Sequence, residues 1–121
     1  MGRKILVVDD EQDLLDLMDI ILGEEGFAVV TACNGKEALA KVHSEHPDLI
    51  LLDVMMPIMD GWAVLKTIKG QQDTENIPVV MVTAKIGEED RRRGLREGAT
   101  DYICKPYAPR EVVSRVKVIL R

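Results

Sequence analysis

The stretch "KILVVDDEQDLL", residues 4–15, joins a short apolar run to two adjacent aspartates, Asp9 and Asp10. The run at residues 5–8 is continuous and apolar, which is typical of a strand covered on both faces of a parallel sheet. Behind the aspartates, apolar residues recur at the three- and four-residue spacing of an amphipathic helix: Leu14, Leu17, Met18, Ile21 and Leu22. A buried strand that ends in acids and continues into a helix therefore opens the chain.

This strand-and-helix unit repeats along the chain. Further strand-like runs are predicted at residues 27–31, 49–52, 79–82 and 101–103. Asn34 and Asp60 stand where they can cap the second and third helices, and the last helix is predicted over residues 112–120. Strands that alternate with helices imply right-handed crossovers and a parallel sheet with helices on both faces, which is a doubly wound α/β sandwich of three layers.

The fourth predicted helix, "IGEEDRRRGL" at residues 86–95, carries few apolar side chains. Because such a helix buries little apolar surface, we expect it to dock weakly on the sheet, and weak docking permits movement. Val118 lies outside the apolar side of the last helix, so we expect its side chain to be exposed.

The composition is that of one soluble domain, which we expect to span residues 1–121. No apolar stretch approaches the roughly 18 residues that a membrane span needs, and no signal peptide is expected because Arg3 and Lys4 lead directly into a strand. A net charge of −5 and a pI near 5.0 argue against direct binding of nucleic acid by this chain. Cys33 and Cys104 lack metal-binding or paired spacing, so we expect reduced thiols in a cytoplasmic protein.

Polar residues stand at the points where the predicted strands end. They are Asp9 and Asp10 after the first strand, Asp53 after the third, Thr83 after the fourth and Lys105 after the fifth. In an open parallel sheet, ligands bind outside the carboxyl ends of the strands. We therefore expect these side chains to converge on one edge of the sheet.

The chemistry of these residues points to a phosphoryl group. Clustered acids repel one another and are tolerated when a positive charge sits among them. Oxygen ligands without histidine or cysteine favour a hard cation, and a site that keeps several waters suits Mg²⁺ better than Ca²⁺. Lys105 and Thr83 are redundant for a metal alone, but they can bond and neutralise phosphoryl oxygens. Asp53 is then placed to be the nucleophile that forms an aspartyl phosphate.

Four segments carry a resemblance to a known family. They are "ILVVDDE" (5–11), "DLILLDVMMPIMDGW" (48–62), "IPVVMVTA" (77–84) and "GATDYICKPY" (98–107). In this order and spacing they resemble the receiver domain of two-component response regulators, the CheY-like family, over nearly the whole chain. The resemblance implies a flavodoxin-like (βα)5 fold with the sheet order 2-1-3-4-5, and a phosphorylation-activated signalling switch.

The resemblance also implies a role for each acid. Asp53 would accept a phosphoryl group from a phosphohistidine on a sensor histidine kinase. Asp10, Asp53 and the backbone carbonyl of Met55 would bind Mg²⁺ directly, and Asp9 would act mainly through water. Such a domain is not a conventional enzyme, although it catalyses its own phosphorylation on aspartate and its autodephosphorylation.

The remaining site residues would bind the phosphoryl group and transmit the signal. Lys105 and Thr83 would each bond a phosphoryl oxygen, with Thr83 moving inward and Tyr102 following it as an aromatic switch. The signal would reach a downstream effector domain or protein through the surface of the fourth helix, fifth strand and fifth helix. Met55 overhangs the approach of water in the family geometry, and Lys85 is expected to influence water access as well.

The sequence leaves the output open. The stretch "APREVVSRVKVILR" (108–121) resembles receivers attached to winged-helix DNA-binding domains, which form homodimers through that same surface. Candidates for cross-dimer ion pairs are Arg91, Asp101, Glu111 and Arg115. Thr100 stands where those members often carry an acid, which weakens part of this network. The connection "KGQQDTENIP" (69–78) instead resembles stand-alone members, so a stand-alone regulator is equally compatible.

Simpler interpretations exist for several residues. Asp10 could be only the N-cap of the first helix, Asp53 a loop acid, and Tyr102 a packing residue of an edge strand. Trp62 is expected to be a packing residue, and Cys104 a small buried one.

Two other classes of protein also stay open. A haloacid-dehalogenase-type phosphatase forms an aspartyl phosphate, but it needs a second Asp two residues after the nucleophile, where this chain has Met55. A flavodoxin-like flavin carrier shares the sheet, but the first strand-to-helix turn is acidic here and lacks the Gly, Ser or Thr residues that cradle phosphate.

Overall fold

The computed structural model describes residues 2–84 and 88–121, with the backbone alone at residues 88–90. Five strands alternate with five helices in this part of the chain. The strands are β1 (Lys4–Val8), β2 (Ala28–Ala32), β3 (Leu49–Asp53), β4 (Val79–Thr83) and β5 (Asp101–Cys104). The helices are α1 (Gln12–Glu24), α2 (Gly35–Glu45), α3 (Gly61–Lys69), α4 (Glu88–Arg96) and α5 (Pro109–Leu120).

The strands form one parallel sheet in the order β2-β1-β3-β4-β5. The predicted order and the doubly wound α/β class are confirmed. β1 and β3 lie side by side in the middle of the sheet, with Val8 opposite Leu52. The chain passes from β1 to β2 on one side and continues through β3 on the other, so the strand order reverses at the carboxyl ends of β1 and β3.

Alternate residues of each strand face opposite sides of the sheet and build two apolar layers. On one side, Ile5 and Val7 belong to a buried cluster that also contains apolar residues of α1 and α5. On the other side, Leu6 and Val8 belong to a cluster that α2 and α3 cover. Burying one such side chain contributes about 1.5–3 kcal/mol, so the two layers hold the sheet and its carboxyl edge in place.

Local sequence determines where the helices begin. Asn34 Oδ1 accepts the Glu37 N–H at 2.8 Å, and Asp60 Oδ1 accepts the Ala63 N–H at 3.0 Å, so both predicted caps are confirmed. α5 begins at Pro109, three residues before the predicted start. Proline fits the first turn because the N–H that it lacks has no partner within the helix there.

The strand boundaries differ from the predictions by one residue. β2 begins after Phe27, because the Phe27 N–H donates to the Leu22 carbonyl at 3.2 Å in the turn that follows α1. β3 and β4 each extend one residue further than predicted. Asp53 and Thr83 are therefore the last residues of their strands, and the sheet itself fixes their backbone.

The weak apolar character expected of α4 agrees with the structure. Among residues 91–96 only Gly94 is buried, and Leu95 is 66% exposed. The part of the prediction that concerns Ile86 and Gly87 lies outside the described residues. Val118 of α5 is 55% exposed, as predicted. No helix in the described part of the chain combines the length and the apolar character needed to cross a lipid bilayer.

Candidate functional site

Two aspartates are buried at the carboxyl edge of the sheet, where β1 and β3 end. Asp9, which follows β1, is 4% exposed, and Asp53 at the end of β3 is 3% exposed. Asp10 beside them is exposed to solvent. Burying a carboxylate is costly unless it is paired with a charge and hydrogen-bonded, so the two buried acids require compensation.

Lys105 supplies this compensation from the loop after β5. Its Nζ donates a hydrogen bond to Asp9 Oδ2 at 2.9 Å and lies 3.5 Å from Asp53 Oδ2. Its backbone N–H donates to the Thr83 carbonyl at 2.8 Å, which ties the loop to the end of β4. One ammonium therefore bridges the two buried acids.

The second oxygen of each buried acid accepts a backbone N–H. Asp53 Oδ1 accepts from Met55 at 3.2 Å, and Asp9 Oδ1 accepts from Glu11 at 2.9 Å. Each carboxylate is thus held on one side by Lys105 and on the other by the backbone that follows it. This arrangement fixes the orientation of both side chains before any ligand binds.

Asp10 completes a cluster of carboxylates. It does not cap α1, because the N-cap residue is Glu11, which makes no side-chain capping bond. Asp9, Asp10 and Asp53 each offer an oxygen, and these oxygens lie within 4.8 Å of one another. An all-oxygen donor set suits a hard cation such as Mg²⁺, and the exposure of Asp10 leaves room for bound water. The residues present fit the predicted cation, and the Met55 carbonyl stays a predicted ligand.

Electrostatics at the site favour neutralisation of Asp53. Burial, followed by repulsion from Asp9, raises the pKa of the Asp53 carboxyl from 3.8 to about 6, although the Lys105 charge and the Met55 N–H oppose the rise. Burial by itself lowers the pKa of Lys105, but the hydrogen bond to Asp9 and the Asp53 charge outweigh burial, and the pKa of Lys105 is raised. At neutral pH an ionised Asp53 therefore carries a free-energy cost that a cation or a covalent bond at its oxygen can relieve.

Sequence reasoning alone does not single out Gly61, yet the site depends on it. A Cβ at this position would lie 2.3 Å from the Asp53 carbonyl oxygen and 2.8 Å from the Val54 Cα. The start of α3 instead packs directly on this backbone, and the Gly61 N–H donates to the Val54 carbonyl at 2.9 Å. The Asp60-Gly61 pair after Pro57 was an available signal, because such pairs mark turns in which glycine permits close backbone approach.

The predicted switch residues lie at the neighbouring strands. Thr83, at the end of β4, is 2% exposed, and Tyr102 in β5 is 6% exposed, with its ring inside the protein. Trp62 packs against the buried cluster that contains Tyr102, so its predicted role as a packing residue is confirmed. The prediction that Cys104 is buried is wrong, because β5 is an edge strand and the thiol of its last residue is exposed.

Two residues were expected to control the access of water. Met55 follows Asp53 by two residues, and its side chain is 61% exposed while its N–H bonds the Asp53 carboxylate. The Met55 side chain therefore stands at the open rim of the site. Lys85 lies outside the residues that the structure describes.

The candidate dimer residues on β5 and α5 pair within the chain. Arg115 Nη1 lies 2.7 Å from Asp101 Oδ2 and also donates to the Tyr102 carbonyl at 3.1 Å. Arg115 Nη2 lies 3.7 Å from Glu111 Oε2. Arg91 is exposed on α4. An intermolecular role for these side chains would require an exchange of partners.

Residues 5–117 match the family model of the response regulator receiver domain. The chain belongs to this family and is the receiver domain of a response regulator. The alkaline phosphatase synthesis transcriptional regulatory protein PhoP of Bacillus subtilis (strain 168) is 50% identical over 100% of this chain and 50% of its own length. The phosphate regulon transcriptional regulatory protein PhoB of Escherichia coli (strain K12) is 45% identical over 100% of this chain and 53% of its own. The chain thus spans about half the length of these relatives.

Solved structures agree with the family and the fold. The Vibrio cholerae chemotaxis protein CheY4 superposes with a TM-score of 0.94 at 32% identity, over 99% of this chain and 100% of that one. A CheY-like receiver domain protein from Methanospirillum hungatei JF-1 gives 0.92 at 33% identity, over 99% and 94% of the two chains. Membership of the receiver family excludes the phosphatase and flavin-carrier classes considered from the sequence.

Replacing Asp53 by asparagine should stabilise the metal-free protein at about pH 7.5, because the change removes a buried charge. The folded-state pKa of about 6 exceeds 3.8, so the folded state binds the Asp53 proton more tightly than the unfolded state does. The resulting contribution to stability is fully present below pH 3.8 and is lost as the pH rises through 6. Allowing for solvent screening, we expect a gain of about 1–2 kcal/mol near neutral pH and a substantially smaller gain at about pH 4.5. Urea unfolding with a chelator present measures both values.

The matched control is Asp19→Asn, which makes the same change at an exposed position of α1. It should alter the free energy of unfolding little at either pH. A gain for Asp53→Asn that is the same at both pH values would contradict the raised pKa.

Proposed function

We propose that this receiver domain, acting as one unit over residues 1–121, is a signalling switch that takes its phosphoryl group from a sensor histidine kinase. An oxygen of Asp53 attacks the phosphorus of a phosphohistidine on the kinase, the N–P bond breaks, and the imidazole leaves with the bonding electron pair. The observation that carries the proposal is the cluster of Asp9, Asp10 and Asp53, in which the Lys105 ammonium bridges Asp9 and Asp53.

Lys105 and Thr83 are the proposed partners of the transferred group. Lys105 Nζ lies 3.5 Å from Asp53 Oδ2, so it can bond an oxygen of a phosphoryl group carried there. Thr83 ends the adjacent strand β4, and we propose its hydroxyl as the second donor, with Tyr102 responding to its movement. Attack of water on the phosphorus later breaks the P–O bond to Asp53, which releases inorganic phosphate and restores the free carboxylate.

Mg²⁺ is the proposed cofactor of both reactions. Asp10 and Asp53 would hold it directly, together with the Met55 carbonyl, and Asp9 would act through water. The support is the all-oxygen donor set at one edge of the sheet. When bound, the ion would supply positive charge to the phosphoryl oxygens and relieve repulsion among the acids.

The proposed output surface consists of α4, β5 and α5. Among residues 91–96 of α4 only Gly94 is buried, so we propose that a small change at Thr83 shifts this helix. The charged residues of this surface are the proposed contacts of a homodimer that forms on phosphorylation: Arg91, Asp101, Glu111 and Arg115. The effector, whether a domain or a separate protein, would bind here.

A transcriptional output is favoured over a motility output. The two relatives named as transcriptional regulators are 50% and 45% identical to this chain, whereas the chemotaxis protein CheY4 is 32% identical. The net charge of −5 makes direct nucleic-acid binding by this chain itself unfavourable, so an effector would contact DNA. We propose a cytoplasmic location, which is consistent with the exposed free thiols of Cys33 and Cys104.

Mg²⁺ should stabilise the unphosphorylated protein, because it binds the acids of the folded state only. At about ten times its dissociation constant the gain should be about 1.4 kcal/mol, or roughly 5 °C in melting temperature. Asp10→Asn should lose most of this gain, whereas Asp19→Asn should keep it. Thermal melts with Mg²⁺ and with chelator measure the difference, and an unchanged wild-type melting temperature at saturating Mg²⁺ would count against the site.

Acetyl phosphate or a sensor kinase, each with Mg²⁺, should add one phosphoryl group that is stable in acid and labile to hydroxylamine. Asp53→Asn should prevent the addition, because a neutral amide lacks the negatively charged oxygen that attacks the phosphorus. Lys105→Ala should mainly impair phosphoryl binding or the later response and leave Mg²⁺ binding largely intact. Intact-mass measurement follows the modification, and full modification of the Asp53→Asn variant would remove Asp53 from its proposed role.

Met55→Asn should shorten the life of the phosphorylated protein severalfold. The exposed methionine cannot orient water, whereas an amide at the same position can hydrogen-bond the attacking water, which corresponds to about 1 kcal/mol or somewhat less of barrier. Loss of phosphorylated protein with time, by intact mass after removal of the donor and with Lys85 unchanged, is the measurement.

The matched control is Ile58→Asn, which adds an amide to the same loop at a fully exposed position. Equal decay rates for wild type and Met55→Asn, or equal acceleration by both substitutions, would mean that Met55 does not control the approach of water.

A further inference from the structure

α4 is joined to α3 by a contact between a cation and an aromatic ring. The Arg93 guanidinium lies over the Trp62 ring, with Cζ 4.3 Å from the ring centroid. Arg93 Nε lies 3.5 Å from Oε1 of Glu97, the residue that follows α4, and this contact orients the guanidinium. Among residues 91–96 of α4, Gly94 is buried and the others are exposed. Over this stretch, the stack on Trp62 is therefore a main restraint on the position of α4.

Gly94, the next residue of α4, lies against the switch tyrosine. A Cβ at this position would be 2.2 Å from Tyr102 Cε2 and 2.7 Å from its hydroxyl oxygen. Glycine is unfavourable inside a helix, so its presence here is explained by the ring that occupies the space of a side chain. Trp62 approaches the same ring from α3, with centroids 6.4 Å apart and an interplanar angle of 50°. Tyr102 is thus enclosed between α3 and α4.

We propose that Trp62 and Arg93 are positioning residues, which hold α4 against α3 so that Gly94 seats the Tyr102 ring inside the protein. The inference rests on the proposed function where it treats Tyr102 as the residue that responds to phosphorylation. If phosphorylation selects the arrangement with the inward ring, the stack of Arg93 on Trp62 already favours that arrangement in the unphosphorylated protein. By linkage, an interaction that favours the inward ring also strengthens binding of a phosphoryl group or its mimic.

The size of the effect follows from the exposure of the stack. The Arg93 side chain is 47% exposed, so the contact is partly solvated, and removing it should change the ratio of inward to outward rings about threefold. Arg92 is an exposed neighbour with the same charge, and no described contact joins it to Trp62. Arg92→Gln is therefore a control that matches Arg93→Gln in composition and net charge.

The first experiment measures the Tyr102 ring directly. The chain has two tyrosines, so ¹³C-labelling of tyrosine rings gives two sets of NMR signals, with Tyr107 as the internal reference. Without any phosphoryl donor, Arg93→Gln should move the Tyr102 signals toward their solvent-exposed values, Arg92→Gln should leave them in place, and Arg93→Lys should fall between. Tyr102 signals that are identical in Arg93→Gln and Arg92→Gln would overturn the inference.

Gly94→Ala provides a second test that leaves Arg93 and Trp62 in place. The added methyl group would occupy the position of the ring, so the Tyr102 signals should move outward even though alanine is the better helix former. Unchanged Tyr102 signals in this variant would contradict the proposed seat.

The last experiment connects the ring to phosphorylation. Beryllofluoride with Mg²⁺ mimics a phosphoryl group on aspartate, and its titration can be followed by the same ring signals. Arg93→Gln should bind it about threefold more weakly than wild type, and Arg92→Gln should bind it equally. If wild type binds no beryllofluoride and accepts no phosphoryl group, the proposed function fails, while the ring signals still decide the position of Tyr102. Equal affinities of the two variants for a mimic that wild type binds would overturn the coupling.

Discussion

The bridge from the Lys105 ammonium to Asp9 and Asp53 is the interaction on which the rest of the site depends. Unit charges about 4 Å apart interact by roughly 4 kcal/mol near a protein surface, so two buried acids without this ammonium would oppose folding. The ammonium balances only part of the acidic charge. Asp10 lies in the same cluster as Asp9 and Asp53, so three carboxylates and one ammonium leave two negative charges, which is the charge that one divalent cation neutralises.

The sheet divides the molecule into a rigid part and a weakly held part. Asp9 follows β1 and Asp53 ends β3. Both strands lie inside the sheet with side chains buried in both apolar layers, so the acids cannot move apart to relieve their repulsion. β5 lies at the edge, and α4 covers it with few buried side chains among residues 91–96. In the proposed switch, a change of charge at the acidic site would shift α4, where few described side chains are buried.

The sequence predicts most of this architecture, because apolar runs, caps and strand-end residues are local signals. Asn34 and Asp60 cap their helices as predicted, and the side chains that converge on the carboxyl edge follow from the parallel order alone. Side-chain contacts between distant elements away from this edge carry no such signal. The stack of Arg93 on Trp62 joins two helices far apart in sequence, and nothing periodic in either segment indicates it. The exposed Cys104 was mispredicted because strand position, not residue type, decides which thiols meet solvent.

A ¹³C NMR titration of the Asp53 carboxyl carbon measures whether the buried acids are crowded and arranged for a cation. Because burial and Asp9 outweigh the opposing effect of Lys105, we expect a pKa of about 6 for Asp53 in the absence of metal. Saturating Mg²⁺ should then lower this pKa well below that value, since the cation binds the ionised form. If the carboxyl titrated near its ordinary value of 3.8 and its pKa did not respond to Mg²⁺, the acids would be neither crowded nor arranged for a cation.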